Sequence, residues 1–400
     1  MAKKESRRLA YIAKDTKTYM NIEEGRFKYS KKGDTNILFI IIPRNIRGNL
    51  RERMEETVKK DKWDEIIWVE TRSNTVSERE EKRKKKSELY SFYWDVREYF
   101  YNYLDRRKLD SIAAKYSPCE LVFSAHKNTQ EHLAAKLHPK ELIMVDSGHR
   151  IFKRMNDSGY INYSRWHISK SRFTRYMFWG TGLKVFDRSK TTLFTVYADE
   201  IETNHKVVKN NFDYQSHLLN SKEIGDEVVW ISTPIYAMTP GVRLEDYVKY
   251  IQTYIRELEI DHTKLIYIPH PGKQTDEEIA YIQKNLNCRI DDRDIPVEFK
   301  IANYEKLPEI CISPFSSALV NINVASNGRI RIVSAWHYEL SSFEIWNNWK
   351  IDVEKNPNLD VEFVEIGDCN PMFYLEKKGQ SQMPSYKNFS DWESSRSESK

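Results

Sequence analysis

Three short stretches hold residue types that together could move a group from a phosphate to a hydroxyl. IYIPHPGK (266–273) is an apolar run that stops on His270 and Pro271, with Gly272 and Lys273 behind them. MVDSGHR (144–150) ends another apolar run on Asp146. CISPFSSAL (311–319) ends a third and opens a predicted helix at Ser316 and Ser317. A helix N-terminus with two hydroxyls and free backbone N–H groups suits a phosphate. A histidine beside it could donate to a phosphate oxygen as negative charge develops on departure. A carboxylate could take the proton of an attacking hydroxyl, and the reference pKa of Asp, ~3.9, keeps it ionised at neutral pH. Each stretch alone is ordinary: a turn histidine, an Asp-Ser-Gly turn, an N-cap pair. Their order is more specific, with the acid in the first half and His then Ser-Ser in the second.

Such residues need elements that present them together. In an open parallel sheet, ligands bind beyond the carboxyl ends of the strands, which is where all three stretches place their polar residues. NILFIII (36–42) reads as a strand covered on both faces. EIIWVET (65–71), CELVFSA (119–125), ELIMVDSG (141–148) and TTLFTVYA (191–198) read as further strands, with a helix over NTQEHLAAKLH (128–138). The pattern dissolves over 201–224 and restarts with EVVWIST (227–233). A helix from about 243 carries Leu244, Tyr247, Val248, Ile251, Tyr254, Ile255 and Leu258 on one face. KLIYIPH (264–270), PVEFKIA (296–302), EICIS (309–313) and RIRIVSA (329–335) are predicted strands, and DEEIAYIQKNL (276–286) a helix. No repeat of fixed period interrupts this alternation, which predicts an α/β protein with two Rossmann-like domains in series. The expected division is a basic N-terminal extension (1–35), a first domain (36–200), a linker (201–224), a second domain (225–380) and a disordered tail (381–400).

Composition narrows the function classes. A chain of 400 residues suits two domains, and 40% hydrophobic residues with 10 Trp and 24 Tyr exclude a disordered protein. Lys and Arg number 64 against 59 acids, a balance that suits an anionic small ligand or membrane surface as readily as nucleic acid. MAKKESRRLAYIAKD lacks the apolar core of a secretory signal, and ILFIII (37–42) is too short to span a bilayer. A soluble, cytoplasmic protein is expected. Cys119, Cys288, Cys311 and Cys369 lie far apart without a C-x-x-C, which predicts reduced thiols rather than a disulfide or zinc scaffold. The charge run SEREEKRKKKSE (77–88) reads as a solvated helix face or mobile loop, or as a surface for a membrane or acceptor. Within 150–190, YSRWHISKSRFTRYMFWGTGLK alternates aromatics with Arg and Lys. It reads either as a surface helix with its aromatic stripe in the core, or as a basic aromatic surface for an anionic lipid headgroup or glycan. The second option would put the protein peripherally on the inner face of the plasma membrane. No RNP, KH or GXXG signature accompanies it, so no nucleic-acid partner is expected.

The order VDSG … IPHPGK … PFSSAL resembles the bacterial sialyltransferases of the lipooligosaccharide and capsule polysialyltransferase type. These carry an acid-acid-Gly motif, then His-Pro, then Ser-Ser or Ser-Thr. The resemblance runs from about 36 to 340 and includes VFSAHKNTQEHLAAKL before the acid and STP ahead of the long helix. It implies a GT-B fold, two Rossmann-like domains facing across a cleft, and inverting, metal-independent transfer of sialic acid from CMP-sialic acid. The acceptor would be a cell-surface glycan or glycolipid such as lipooligosaccharide or capsule. Asp146 would match the general base, and His270 the residue that contacts the CMP phosphate and assists its departure. Ser316 and Ser317 would match the phosphate-binding serines, and Glu298, in IPVEF, a carboxylate on the ribose hydroxyls. Pro271 would fix the turn after His270, and Gly272 would leave room for close approach of the donor. Two positions depart from the pattern. Ser147 stands where the second acid belongs, and Ile268 and Pro269 precede His270 where some relatives have a basic residue, a charge that Lys273 is placed to supply.

Two other readings remain open on sequence. A CDP-glycerol-type phosphotransferase of wall or capsule synthesis would use the same fold with a second histidine, for which His126 and His149 are candidates. A non-enzymatic RNA- or glycan-binding protein would use the segment 150–190 instead. DDRD (291–294) holds an acidic pair in a polar loop without further ligands in sequence, which fits chemistry without a metal cofactor.

Overall fold

The structure, a computed structural model, describes residues 6–43, 50–58, 62–72, 88–125, 128–146, 191–200, 203, 205–238, 242–270, 273–291, 295–337, 340–341 and 344–366. The chain divides into two compact units, Met1–Tyr214 and Gln215–Lys400. The first runs β1 (Arg8–Ala13), α1 (Thr16–Tyr29), β2 (Thr35–Pro43), α2 (Leu50–Thr57), β3 (Glu65–Thr71), α3 (Glu88–Tyr116), β4 (Leu121–Ser124), α4 (Asn128–Lys136), β5 (Glu141–Val145), β6 (Thr191–Thr195) and β7 (Lys206–Lys209). The border falls inside α5 (Asp213–Asn220). The second continues with β8 (Val228–Ile231), α6 (Ile235–Met238), α7 (Leu244–Glu257), β9 (Leu265–Ile268), α8 (Asp276–Leu286) and β10 (Arg289–Ile290). It ends with α9 (Val297–Asn303), β11 (Ile310–Ser313), α10 (Ser317–Ala325), β12 (Arg331–Trp336), α11 (Glu344–Lys355) and β13 (Val361–Glu365).

Each unit is built on one parallel sheet. The seven-stranded sheet has the order β3-β2-β1-β4-β5-β6-β7, and the six-stranded sheet β10-β9-β8-β11-β12-β13. In both, strand order reverses once, between β1 and β4 and between β8 and β11. That reversal opens a crevice at the carboxyl ends, the usual ligand position of a doubly wound sheet. The predicted α/β class with two Rossmann-like domains is what the chain forms.

Strands covered on both faces must be apolar throughout. Ile37 to Ile41 of β2, all of β9 and all of β11 are accordingly buried. The predicted face of α7 is also inside: Tyr247, Val248, Ile251, Tyr254 and Ile255 are buried. Helix starts follow local chemistry. Asp15 caps α1 through Thr18 N–H, and Thr275 and Glu278 form a reciprocal capping box on α8.

Three segments differ from expectation, each for a physical reason. Residues 8–29, expected in an extension, supply β1 and α1 of the first sheet. The apolar stripe of α1 is masked in sequence because polar residues share its buried face. Glu24 accepts from Tyr214 N–H at 2.9 Å, and Glu23 accepts from the Tyr19 hydroxyl at 3.0 Å and from Lys62 Nζ at 3.3 Å. Residues 206–220, expected in a linker, form β7 and α5. Residues 297–303, expected as a strand, form helix α9 behind the N-cap Pro296. The alternation of Val297, Phe299 and Ile301 with Glu298 and Lys300 imitates a half-buried strand. Here the two polar side chains are themselves buried and paired, Glu298 with Asn321 and Lys300 with Asp291 at 3.0 Å. Among the described residues no helix is long and apolar enough to cross a membrane. The segments 77–87 and 150–190, Cys369, and the tail 381–400 lie outside the described residues.

Candidate active site

In the second unit, the carboxyl ends of β9, β8 and β11 lie side by side. β9 leads into Pro269 and His270, β8 into Ser232 and Thr233, and β11 into Pro314, Phe315, Ser316 and Ser317. His270 and the Ser-Ser pair thus emerge at the same edge of the sheet, on the two strands that flank β8.

Hydrogen bonds fix both turns. The Thr233 hydroxyl donates to Phe315 O at 2.8 Å and lies 3.1 Å from the Ser313 hydroxyl, spanning the crevice between β8 and β11. The Ser334 hydroxyl donates to Pro314 O at 2.8 Å. The loop into α10 is therefore held from both neighbouring strands. Ser316 is the N-cap of α10, its hydroxyl oxygen accepting from Ala318 N–H at 3.2 Å. Ser317 opens the helix, and Leu319 N–H donates to Ser316 O at 3.1 Å. Anions are favoured there by the aligned peptide dipoles.

On the other side of β8, Ser232 N–H donates to Ile268 O at 2.9 Å, tying the end of β8 to the end of β9. His270 is half-buried, and its backbone N–H donates to the Gln274 side chain at 2.8 Å. Lys273 is exposed, with its N–H directed to His270 O at 3.4 Å. Pro271 and Gly272 lie outside the described residues. Glu298, in the first turn of α9, accepts from Asn321 Nδ2 at 2.8 Å. Asn321 stands one helical turn beyond Ser317 on α10, so Glu298 is coupled to the helix that carries the serine pair.

Asp146 follows β5 in the first unit and is only 4% exposed. Its Oδ2 accepts from Val196 N–H at 3.0 Å, just beyond β6. Its backbone O accepts from Asn21 Nδ2 at 3.1 Å, and Asn21 is in turn held by Asn210 at 3.1 Å. The other carboxylate oxygen, Oδ1, is buried with no hydrogen-bond partner among the described residues. Burial pushes the carboxyl up to about 6, against the pull of the Thr195 hydroxyl, Val196 N–H and the Lys17 charge. Asp146 is thus ionised at neutral pH with little to spare, less comfortably than an exposed Asp, which is the range that serves a general base. Ser147 and His149 lie outside the described residues, as does His126.

The sequence offers Asp146, His270 and the serines as candidates but not the side chains that hold them. Thr195 and Ser334 are buried polar residues within β6 and β12, Thr233 lies just beyond β8, and Gln274 lies in the turn after β9. Their position beside predicted strand ends was visible, but the partners that justify their burial come from distant segments. Among the described residues, no group of three or more His, Cys, Asp or Glu side chains could hold a metal ion.

No family model matches the sequence, and no curated protein matches it. Solved structures to which the chain shows similarity include the UDP-GlcNAc 2-epimerase from Methanocaldococcus jannaschii, at 13% identity, 98% of this chain, 99% of that one and TM-score 0.43. A glycosyltransferase from Rickettsia africae ESF-5 shares 12% identity over 91% of this chain and 86% of that one, with TM-score 0.41. CalG4, the calicheamicin glycosyltransferase, shares 10% identity over 92% and 88%, with TM-score 0.42. None of these three names is that of a sialyltransferase.

Proposed function

We propose that the protein is an inverting glycosyltransferase that moves sialic acid, or a related acidic sugar, from its CMP-activated form to a cell-surface glycan. The observation that carries this reading is the shared edge of His270 and the capped Ser316-Ser317 helix start, at the switch point of the second sheet. In this reading the CMP phosphate sits on the N–H groups and hydroxyls at the start of α10. An acceptor hydroxyl oxygen bonds to the anomeric carbon as the carbon–oxygen bond to phosphate breaks. The electron pair stays on the departing CMP, where His270 donates a hydrogen bond to the developing charge. The hydroxyl proton passes to Asp146. Glu298 is assigned to the ribose hydroxyls, and Lys273, with Pro271 and Gly272, to the donor's charge.

Incubation with CMP-sialic acid and a panel of lipooligosaccharide and capsule acceptors, read by product mass and linkage, tests the assignment. Release of CMP from CDP-glycerol alone would replace it with the phosphotransferase reading. The two serines should separate. Ser317→Ala removes one neutral donor and is expected to weaken CMP binding by roughly 2- to 10-fold, with an unchanged melting temperature. Ser316→Ala removes the helix cap as well, so calorimetry should show a similar binding loss while melting records a further ~1 kcal/mol of lost stability.

A further inference from the structure

Gln274 is 5% exposed, although sequence places it in a polar turn four residues after His270. Among the described residues its amide takes part in four hydrogen bonds. Oε1 accepts from His270 N–H at 2.8 Å and from the Ser232 hydroxyl at 2.8 Å. Nε2 donates to the Tyr267 hydroxyl at 2.9 Å and to the Tyr236 hydroxyl at 3.2 Å. The Tyr267 hydroxyl donates onward to Ser232 at 2.7 Å. Donation therefore runs in one closed circle, from Gln274 to Tyr267 to Ser232 and back to Gln274. Each member polarises the next, and the circle fixes which way the amide faces. Burial holds the Tyr267 and Tyr236 hydroxyls protonated, so the circle is neutral.

One bond leaves the circle toward the chain that carries the proposed chemistry, the bond from His270 N–H. We propose that Gln274 is the positioning residue of His270. The closed circle sets its amide, and the amide sets the backbone from which the imidazole projects. The statement about transfer rests on the glycosyltransferase reading; the clamp on the backbone does not. A residue that orients a reacting group within a fraction of an ångström acts on turnover more than on affinity, since misplacement by ~1 Å costs up to ~10²-fold.

Three variants of the full chain separate positioning from mere stability. Gln274→Met keeps the volume but removes the acceptor of His270 N–H. Ser232→Ala opens the circle yet leaves Oε1 to His270. Gln274→Glu keeps an acceptor at Oε1. The expected result for Gln274→Met is a fall in kcat of ~10- to 100-fold with KM for CMP-sialic acid little changed. Amide exchange at His270, followed by NMR on protein labelled with 15N-histidine, should accelerate in the same variant. Ser232→Ala should lose far less kcat for a comparable drop in melting temperature, and Gln274→Glu should recover part of the loss. The inference is overturned if Gln274→Met and Ser232→Ala lose kcat in step with melting temperature, or if His270 exchange is the same in Gln274→Met as in the parent. Should the parent protein transfer no sugar, the functional reading falls, and the exchange comparison still decides the clamp.

Discussion

His270→Ala is expected to lower kcat for sugar transfer by roughly 10²- to 10⁴-fold, the usual contribution of one positioned proton donor. The change should leave the backbone bond at this position intact. Gln274 accepts from His270 N–H, and alanine keeps that N–H. The imidazole is half-buried at the end of β9, so its removal empties no sealed core site. CMP affinity by calorimetry should change much less than turnover, since the charge that His270 meets is larger in the transition state than in the bound donor. His270→Asn, which retains a donor without an acid, should fall between the two. Parent-like turnover in His270→Ala would remove this residue from the chemistry altogether.

Asp146→Asn should abolish transfer to within the limits of detection, a loss of at least ~10³-fold, while making the protein more stable at neutral pH. The two effects have one cause. Burial raises this carboxyl from 3.8 to about 6, so the folded chain holds its proton more tightly than the unfolded chain does. The native state is therefore favoured below 3.8, and that advantage is lost as pH rises to about 6. Above it, the folded protein carries a buried charge at a cost on the order of 2–3 kcal/mol. Asparagine carries no charge and can still accept from Val196 N–H. The gain in melting temperature should therefore be present at pH 8 and absent near pH 4. In the parent, kcat/KM should fall about tenfold per pH unit below about 6. If Asp146→Asn keeps its activity, the base lies elsewhere. If it melts lower at pH 8, the carboxylate is structural.

Much of this fold can be read from contiguous apolar runs. β2, β5, β8, β9, β11 and β12 are legible because strands covered on both faces are nearly continuous apolar runs. β1 and α1 were not, since a short apolar stretch flanked by basic residues is followed by a helix that buries Glu23 and Glu24. α9 reads as a strand in sequence because buried, paired Glu298 and Lys300 copy the alternation of one. The same limit applies at the site. The candidates Asp146 and His270 stand out at strand ends, and Ser316 stands out as a cap. Gln274, Thr233 and Thr195 do not, because a polar residue is buried only when remote partners satisfy it, and one-dimensional spacing carries no record of them.

The place of β1 bears on how the chain reaches its fold. Its residues leave the ribosome ahead of every other strand of their sheet, yet they end between β2 and β4, with Leu9 opposite both Asn36 and Leu121. One flank can zip up at once; the other must wait until more than a hundred further residues have been synthesised. During that interval the edge of β1 is an open template for any passing strand. Slow translation between β3 and β4 would lengthen the exposure, and a chaperone that shields this half-built sheet would act there first. The second unit repeats the problem on a smaller scale, since β8 waits for β11.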